Sequence, residues 1–312
     1  MITVAGFNTA IDKALEIESL QVGEVNRARA VHSWPGGKGL HVALTIAALG
    51  EPVQLVGLID RTHAADFQRF LSERRVDFLG IEAGSEIRTN LTLRDAEGRV
   101  TELLEPGPQL EPAVSERLKS VFSEAARQAS IAVVSGSVPR GMGESTYRDL
   151  IAPLEARAIR CLLDASGTLL RHGVLAQPFL AKPNRDEAEA LLGHSIDGTE
   201  AALQTLSAIG AMGLSRVVLT LGRDGAVALW EGRRCRIVAP VIEARNPVGS
   251  GDCFVGGLAV GLERGLAPAE VLRLATACGA ANALTAEIGI LRPEDVAALT
   301  PKVEVEWIDA QP

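Results

Sequence analysis

Several of the features that assign a chain to a class quickly are missing here. There is no run of Lys or Arg, and the net charge of -8 at pH 7 comes from acidic residues spread along the chain. That leaves no electrostatic footprint for nucleic acid or for an anionic membrane surface, so neither is expected as a partner. No apolar run reaches the ~18 to 20 residues needed to cross a bilayer. Met1 leads almost directly into "ITVAGF" without a basic n-region, and the expectation is a cytoplasmic protein.

The chemistry-bearing signatures are sparse too. The four cysteines, Cys161, Cys235, Cys253 and Cys278, form no CxxC pair and have no His at metal-ligand spacing, so they read as reduced core thiols. The five histidines make no HExxH, and no serine sits in a GxSxG elbow, which leaves metallohydrolase and serine-hydrolase readings without support. No repeat, low-complexity tract or linker breaks the chain.

What is present is a chain of 312 residues with 47% hydrophobic and 22% charged residues, a composition that folds into a large core. Short β-branched runs ("ITVAGF", "VQLVGLI", "IAVVSG", "RCLLDAS", "FLAKPN", "VVLTLG") alternate with helical patterns. One of these is Val114, Leu118, Val121, Phe122, Ala125 and Ala129, spaced for a single helix face. Such alternation predicts an α/β fold with a mostly parallel sheet and helices on both faces. Residues 12–35 and 88–106 differ, alternating apolar and charged residues around the turn "DAEG". They predict a small antiparallel sheet acting as a discontinuous lid on one main domain, residues 1–312. The C-terminal half reads as helical, in "SGDCFVGGLAVGLERG", "PAEVLRLATACGAANALTAEIG", where Pro268 suits the first turn, and "PEDVAAL".

Six segments could carry chemistry. In "NPVGSGD", Gly249 and Gly251 allow successive amides to face one side at a helix start, an anion site. Asp252 either caps that helix or deprotonates a hydroxyl attacking a bound phosphate. "PGGKGLHVA" lacks the GK[ST] ending of a P-loop. Its Gly36, Gly37 and Gly39 would let a small polyol approach the backbone, and Lys38 could hold a phosphate, unless the stretch is simply a turn with a solvated lysine. Asn8 and Asp12 follow the first strand, where open α/β sheets bind ligands. Arg88 and Asn90 share a strand face in "IRTN", as Arg27 and Arg29 do in "EVNRAR". In "KPNRDEAEALLG", Asn184 and Glu187 near Lys182 either hold the water shell of Mg2+ or form a capping box.

Taken in order, "FNTAID", "GEVNRARAVHSWPGGKGLHVA", "IRTN", "TELLEPGP", "SGSVPRG", "KPNRDEAE", "LTLGRDGA" and "NPVGSGDCFVGG" resemble the ribokinase-like carbohydrate kinases, the PfkB family. They look most like the branch that contains 1-phosphofructokinase and tagatose-6-phosphate kinase. The resemblance implies a three-layer α/β/α sandwich with a small β-sheet lid, ATP and Mg2+ as cofactors, a sugar phosphate as the small-molecule partner and a homodimer through the lid. It makes Asp252 the catalytic base, with Gly249, Ser250 and Gly251 as its anion hole. Sugar contacts fall on Asp12, Gly37, Lys38, His41, Arg88 and Asn90, with Arg27 reaching a phosphate from the lid. ATP contacts fall on Lys182, Asn184, Thr220, Gly222, Gly225 and Asn282, and Glu187 with Asn184 organises Mg2+, through water.

Two departures bear on substrate. The Asn usual after "GGKGI" is His41, and the usual "NP" is "NT" at Asn8 and Thr9. The reading is ATP-dependent phosphorylation of a ketohexose monophosphate (fructose 1-phosphate, tagatose 6-phosphate or fructose 6-phosphate). A kinase for an unphosphorylated sugar or nucleoside, and a catalytically silent regulator on the same fold, are the alternatives.

Overall fold

The computed structural model describes residues 1–308. Its strands are β1 (Ile2–Ala5), β2 (Ala10–Glu16), β3 (Ala30–Gly36), β4 (Val53–Ile59), β5 (Val76–Glu82), β6 (Arg88–Arg94), β7 (Val100–Leu104), β8 (Ile131–Ser135), β9 (Arg160–Asp164), β10 (Leu180–Ala181), β11 (Arg216–Thr220), β12 (Ala226–Trp230), β13 (Arg233–Val238) and β14 (Glu304–Trp307). The helices are α1 (Lys38–Ala48), α2 (Ala64–Glu73), α3 (Pro112–Ala126), α4 (Thr146–Glu155), α5 (Gly167–Gly173), α6 (Arg185–Leu192), α7 (Gly198–Gly210), α8 (Ser250–Glu263), α9 (Pro268–Ala283) and α10 (Pro293–Leu299).

Ten strands form one sheet in the order β14-β13-β12-β11-β10-β9-β8-β1-β4-β5. From β11 through β5 the pairing is parallel, as the β-branched runs predicted. All of β1 is buried, as befits a strand covered on both faces. Helices α1, α8 and α9 pack together in one layer, while α3, α4 and α5 build the other. Phe7, Phe122 and Tyr147 interlock beneath β1, with the Phe7 and Phe122 rings edge to face at 5.7 Å. The fully buried Tyr147 hydroxyl lies 3.2 Å from the carbonyl of Ser135 and 3.0 Å from that of Gly136. This core contact fixes the loop leaving β8.

The sheet ends differently from the expectation. Strands β12, β13 and β14 extend it antiparallel, strands that the sequence reading does not include, while the three helical segments it names from Ser250 onward are α8, α9 and α10. The signal was available in "AVALWEGRRCRIV": Glu231 and Gly232 both take positive φ, 51° and 83°, the two-residue hairpin geometry that favours glycine.

The lid is a four-stranded sheet, β3-β2-β6-β7. It is mixed rather than antiparallel, because β2 and β6 run parallel. The cause is topological: β2 follows β1 and β6 follows β5, two strands of the parallel sheet, so both excursions leave the same edge in the same direction. The hairpin at "DAEG" is present. Asp95 Oδ1 accepts from the amides of Glu97 and Arg99, and Gly98 takes φ 79°.

Chain order places the site. After β1 the chain moves outward to β4 on one side, while β8 lies on the other, making a switch point between β1 and β8 where open α/β sheets bind ligands. Asn8, Ser135 to Ser137, Asp164, Lys182 and Thr220 all sit at carboxyl ends of strands. Across the switch point the Asn8 amide donates to Ser137 Oγ at 2.9 Å.

Candidate active site

Asp12 lies on β2 opposite Asn90 of β6, and the Asn90 amide donates to its Oδ1 at 2.8 Å. Its Oδ2 accepts from the amide of Gly37 at 3.3 Å and pairs with His41 Nε2 at 3.1 Å. Burial works against ionisation of Asp12, but the contacts with His41, Asn90 and Gly37 outweigh it and hold its pKa below the ordinary carboxylate value. The neighbouring glycines serve this arrangement. A Cβ at Gly36 would occupy the Asp12 carboxylate, and one at Gly39 would collide with the backbone of Gly6. The glycines expected to admit a polyol are thus partly consumed by internal packing, and Gly37, at φ 104°, is the one that offers its amide.

Asp252 sits in the first turn of α8, 6% exposed. Gly249 is the residue before the helix, at φ 82°. A Cβ there would come within 2.6 Å of the Gly289 amide nitrogen, so glycine is required both by conformation and by contact. Of the expected anion hole, Ser250 is a correction. Its N–H donates to the Pro247 carbonyl at 3.1 Å, which closes the turn. Gly249 and Gly251, and beyond them Asp252 itself, keep amides without an acceptor among the described residues. Asn246 braces the turn, accepting from Val248 N at 3.1 Å and donating to the Ala286 carbonyl at 3.1 Å.

Asn282 is completely buried. Its amide donates to the Val248 carbonyl at 2.9 Å and to Ser250 Oγ at 3.1 Å. Asn282, which the resemblance makes an ATP contact, thus supports the loop that leads into α8, and its Oδ1 has no hydrogen-bond partner among the described residues.

A buried charge cluster adjoins this loop. Lys182 Nζ pairs with Asp164 Oδ1 at 3.0 Å, with side chains 5% and 1% exposed. Ser135 Oγ donates to the other Asp164 oxygen at 3.0 Å. Burial opposes the charge of Asp164, yet Lys182, Lys38 and Ser135 together hold its pKa below the usual value. A Cβ on Gly251 would lie 3.9 Å from Lys182 Nζ, which puts this ammonium at the mouth of the anion hole. Asp164 was read from sequence only as a strand end; the signal is a carboxylate closing a buried parallel strand.

Lys38 lies at the open edge of this cluster, its side chain 44% exposed. Its Nζ lies 3.9 Å from Glu187 Oε1. Asp164 above all, with Asp252 and Glu187, raises its pKa against the opposing effect of burial. Arg88 is elsewhere: it donates to the carbonyls of Asn8 (3.1 Å) and Glu105 (3.2 Å) and feels the charge of Asp12. Arg27 is exposed in the loop joining β2 to β3 and makes no hydrogen bond or ion pair among the described residues. Arg88 and the Gly37 to Lys38 turn both approach the Asn8 carbonyl, whereas Arg27 stands apart on the exposed loop.

Asn184 and Glu187 form the capping box that competed with the metal reading. Asn184 Oδ1 accepts from Glu187 N at 2.8 Å, and Glu187 Oε2 accepts from Asn184 N at 2.9 Å. Glu187 Oε1 stays outside the box, facing Lys38. No group of three or more His, Cys, Asp or Glu could cage a metal among the described residues. One free carboxylate oxygen among hard donors fits Mg2+, which keeps several waters and binds through few protein ligands. Thr220 pairs with Asn184 across an isolated bridge, and Gly222 and Gly225 shape the turn after β11 at φ 63° and 84°. These residues flank the junction from β10 into α6.

Sequence reasoning also passed over Glu102 on β7. The residue is solvent-exposed, and partial desolvation at the rim, followed by the charges of Asp12 and Asp252, raises its pKa with Lys38 and His41 opposing. All four cysteines are buried and free, as expected, and no helix among the described residues is long and apolar enough to cross a membrane.

Carboxylates at a parallel-sheet switch point, an anion hole at a helix start and a lid strand bearing Asp12 define a sugar-kinase type of site. The comparisons agree. The family model for pfkB family carbohydrate kinases matches residues 6–294, and the chain belongs to that family. It is 32% identical over 295 residues to a 1-phosphofructokinase of Xanthomonas campestris, covering 93% of each chain. It is 28% identical over 308 residues to a tagatose-6-phosphate kinase of Staphylococcus epidermidis, covering 98% of this chain and 99% of that one. Phosphofructokinase-2 from Escherichia coli, solved in complex with potassium, superposes with a TM-score of 0.87 at 25% identity, over 96% of this chain and 98% of that one. The protein is a phosphotransferase with an alcohol group as acceptor, on the ribokinase-like α/β fold.

Proposed function

We propose that this kinase transfers the γ-phosphoryl group of ATP, bound as its Mg2+ complex, to a free hydroxyl of a ketohexose monophosphate, with Asp252 as general base. The observation that carries the reading is the placement of Asp252. It is buried at the head of α8 beside unspent amides; one carboxylate oxygen is held by His41 at 3.1 Å, and the other has no partner among the described residues. The acceptor proton passes to that oxygen. The hydroxyl oxygen bonds to the γ-phosphorus, the bond to the β,γ-bridging oxygen breaks, and ADP leaves.

Asp12 and Asn90 accept and donate hydrogen bonds to the sugar hydroxyls. The amides of Gly249 and Gly251, with Lys182 and Lys38, stabilise the transferring phosphoryl group, whose charge is spread over its oxygens. When bound, Mg2+ neutralises phosphate charge; Glu187 would hold its water shell. Thr220, Gly222 and Gly225 would border the nucleotide.

The names of the relatives and the placement of Arg88 near Asp12 support a substrate that already carries a phosphate: fructose 1-phosphate, tagatose 6-phosphate or fructose 6-phosphate. The exposed, unpartnered position of Arg27 among the described residues favours the second reading, an unphosphorylated sugar or nucleoside. An assay across those three phosphates, free hexoses and nucleosides tests both, and turnover of neutral substrates alone would sink the first. Asp252→Asn is expected to lower turnover by about a thousandfold while leaving ATP binding nearly intact; unchanged turnover would remove Asp252 from its role.

The homodimer is also part of the proposal. Of ten exposed large hydrophobic residues among those described, six (Leu20, Val22, Val25, Val31, Leu103 and Leu104) belong to the lid sheet and its loops. That concentration supports a partner covering the lid.

A further inference from the structure

His41 stands where the resemblance places an asparagine, and the structure puts its ring between two carboxylates. Nδ1 lies 3.1 Å from Asp252 Oδ2 and Nε2 lies 3.1 Å from Asp12 Oδ2. The His41 and Asp12 side chains are each 5% exposed and that of Asp252 is 8% exposed, so water does little to separate the two negative charges.

A neutral imidazole carries one N–H and one lone pair, and between two carboxylates it would turn the lone pair on one of them. The doubly protonated ring hydrogen-bonds Asp252 through Nδ1 and meets Asp12 through Nε2 at ion-pair distance without hydrogen-bond geometry, setting one positive charge between two negative ones. Burial alone would discharge the ring, but the contacts with Asp12 and Asp252 outweigh it and push the His41 pKa up to about 9. Two other elements and the ring's own helix face it. Glu102 approaches from β7 and Lys38 from the first turn of α1 itself. Gly289, in the loop between α9 and α10, lacks the Cβ that would collide with the ring. The room for an imidazole is therefore built by a residue remote in sequence.

We propose that His41 is a positioning residue which, as an imidazolium, ties the base Asp252 to the sugar-binding Asp12 and leaves the free oxygen of Asp252 directed at the acceptor hydroxyl. The proposal deepens the kinase reading above and rests on it. An asparagine at this position reaches one carboxylate at a time and carries no charge, so it cannot replace both contacts.

The test compares the full-length wild-type protein with His41→Asn. The rates kcat and kcat/KM are measured from about pH 6 to about pH 10 on whichever ketohexose phosphate is turned over, alongside 15N NMR of the histidine rings. The wild type is expected to lose kcat on an alkaline limb near pH 9. His41→Asn should lack that limb and fall about tenfold or more in kcat at neutral pH, with KM for ATP changed less than about threefold. In the NMR arm the His41 ring should be doubly protonated at neutral pH, and Asp252→Asn should move its titration to lower pH. An identical alkaline limb in His41→Asn, or a ring that is neutral at pH 7, would overturn the proposal. If no ketohexose phosphate is turned over, the substrate reading fails, while the ring titration and its response to Asp252→Asn still decide the tether.

Discussion

The carboxylate of Asp12 fills the space in which a Cβ of Gly36 would stand. Gly36 is not among the positive-φ residues, so an alanine there is allowed by the backbone and fails only by displacing Asp12. Gly36→Ala is expected to raise KM for the sugar by about tenfold or more while leaving ATP binding within about twofold of wild type. Steady-state kinetics with each substrate varied in turn reads this split, and an unchanged sugar KM would mean that Asp12 does not touch the sugar.

Glu187 has two duties in the structure, and a conservative variant separates them. Gln keeps an oxygen able to accept from the Asn184 amide, so Glu187→Gln preserves the capping box while removing the charge. The thermal midpoint should stay within a few degrees, and the Mg2+ concentration giving half-maximal rate should rise by about tenfold. A loss of stability with an unaltered Mg2+ dependence would assign Glu187 to the cap alone.

Lys38 and Arg88 are expected to behave differently, because they occupy different neighbourhoods. Lys38→Met should lower kcat by about a hundredfold on any accepted sugar, since its ammonium faces Glu187, Asp164 and Asp252. Arg88→Lys should mainly raise KM for a phosphorylated sugar, because Lys cannot reproduce the fork that reaches the Asn8 and Glu105 carbonyls. Kinetics on phosphorylated and free sugars compare the two.

Stability should depend on pH through His41. Its pKa is raised from an ordinary value of 6.5 to about 9 in the folded chain. The native state therefore keeps a proton that the unfolded state has released between those values, and stability falls as pH rises. The contribution is complete below pH 6.5 and lost through about pH 9, amounting to at most on the order of 3 kcal/mol. Urea unfolding of wild type and His41→Asn at three pH values across that window should show the decline in the first and its absence in the second.

The parallel sheet and its helices were legible because buried β-branched runs and amphipathic helices leave periodic patterns, and the structure sets Asp12 against Asn90 and joins it to Asp252 through His41. What escaped was decided by contacts between distant segments. Asn282 looks like any polar helix residue until the loop it braces is seen above it. Asp164 looks like a strand end until Lys182 is found against it, and Gly289 until the ring of His41 is packed where its side chain would be. Lys38 reads as a lone basic residue in a glycine turn until Asp164, Asp252 and Glu187 from three distant segments are found around it.

The ring of His41 joins β2 of the lid to α8 of the main domain, 211 residues apart between His41 and Asp252. Along β2 exposure increases outward, from buried Ala10 to Asp12 to exposed Glu16. Pinned at its inner end, the lid has a fulcrum at Asp12. The ring fixes the spacing of the Asp12 and Asp252 carboxylates, so any displacement of the small sheet that separated them would have to break one of these two contacts.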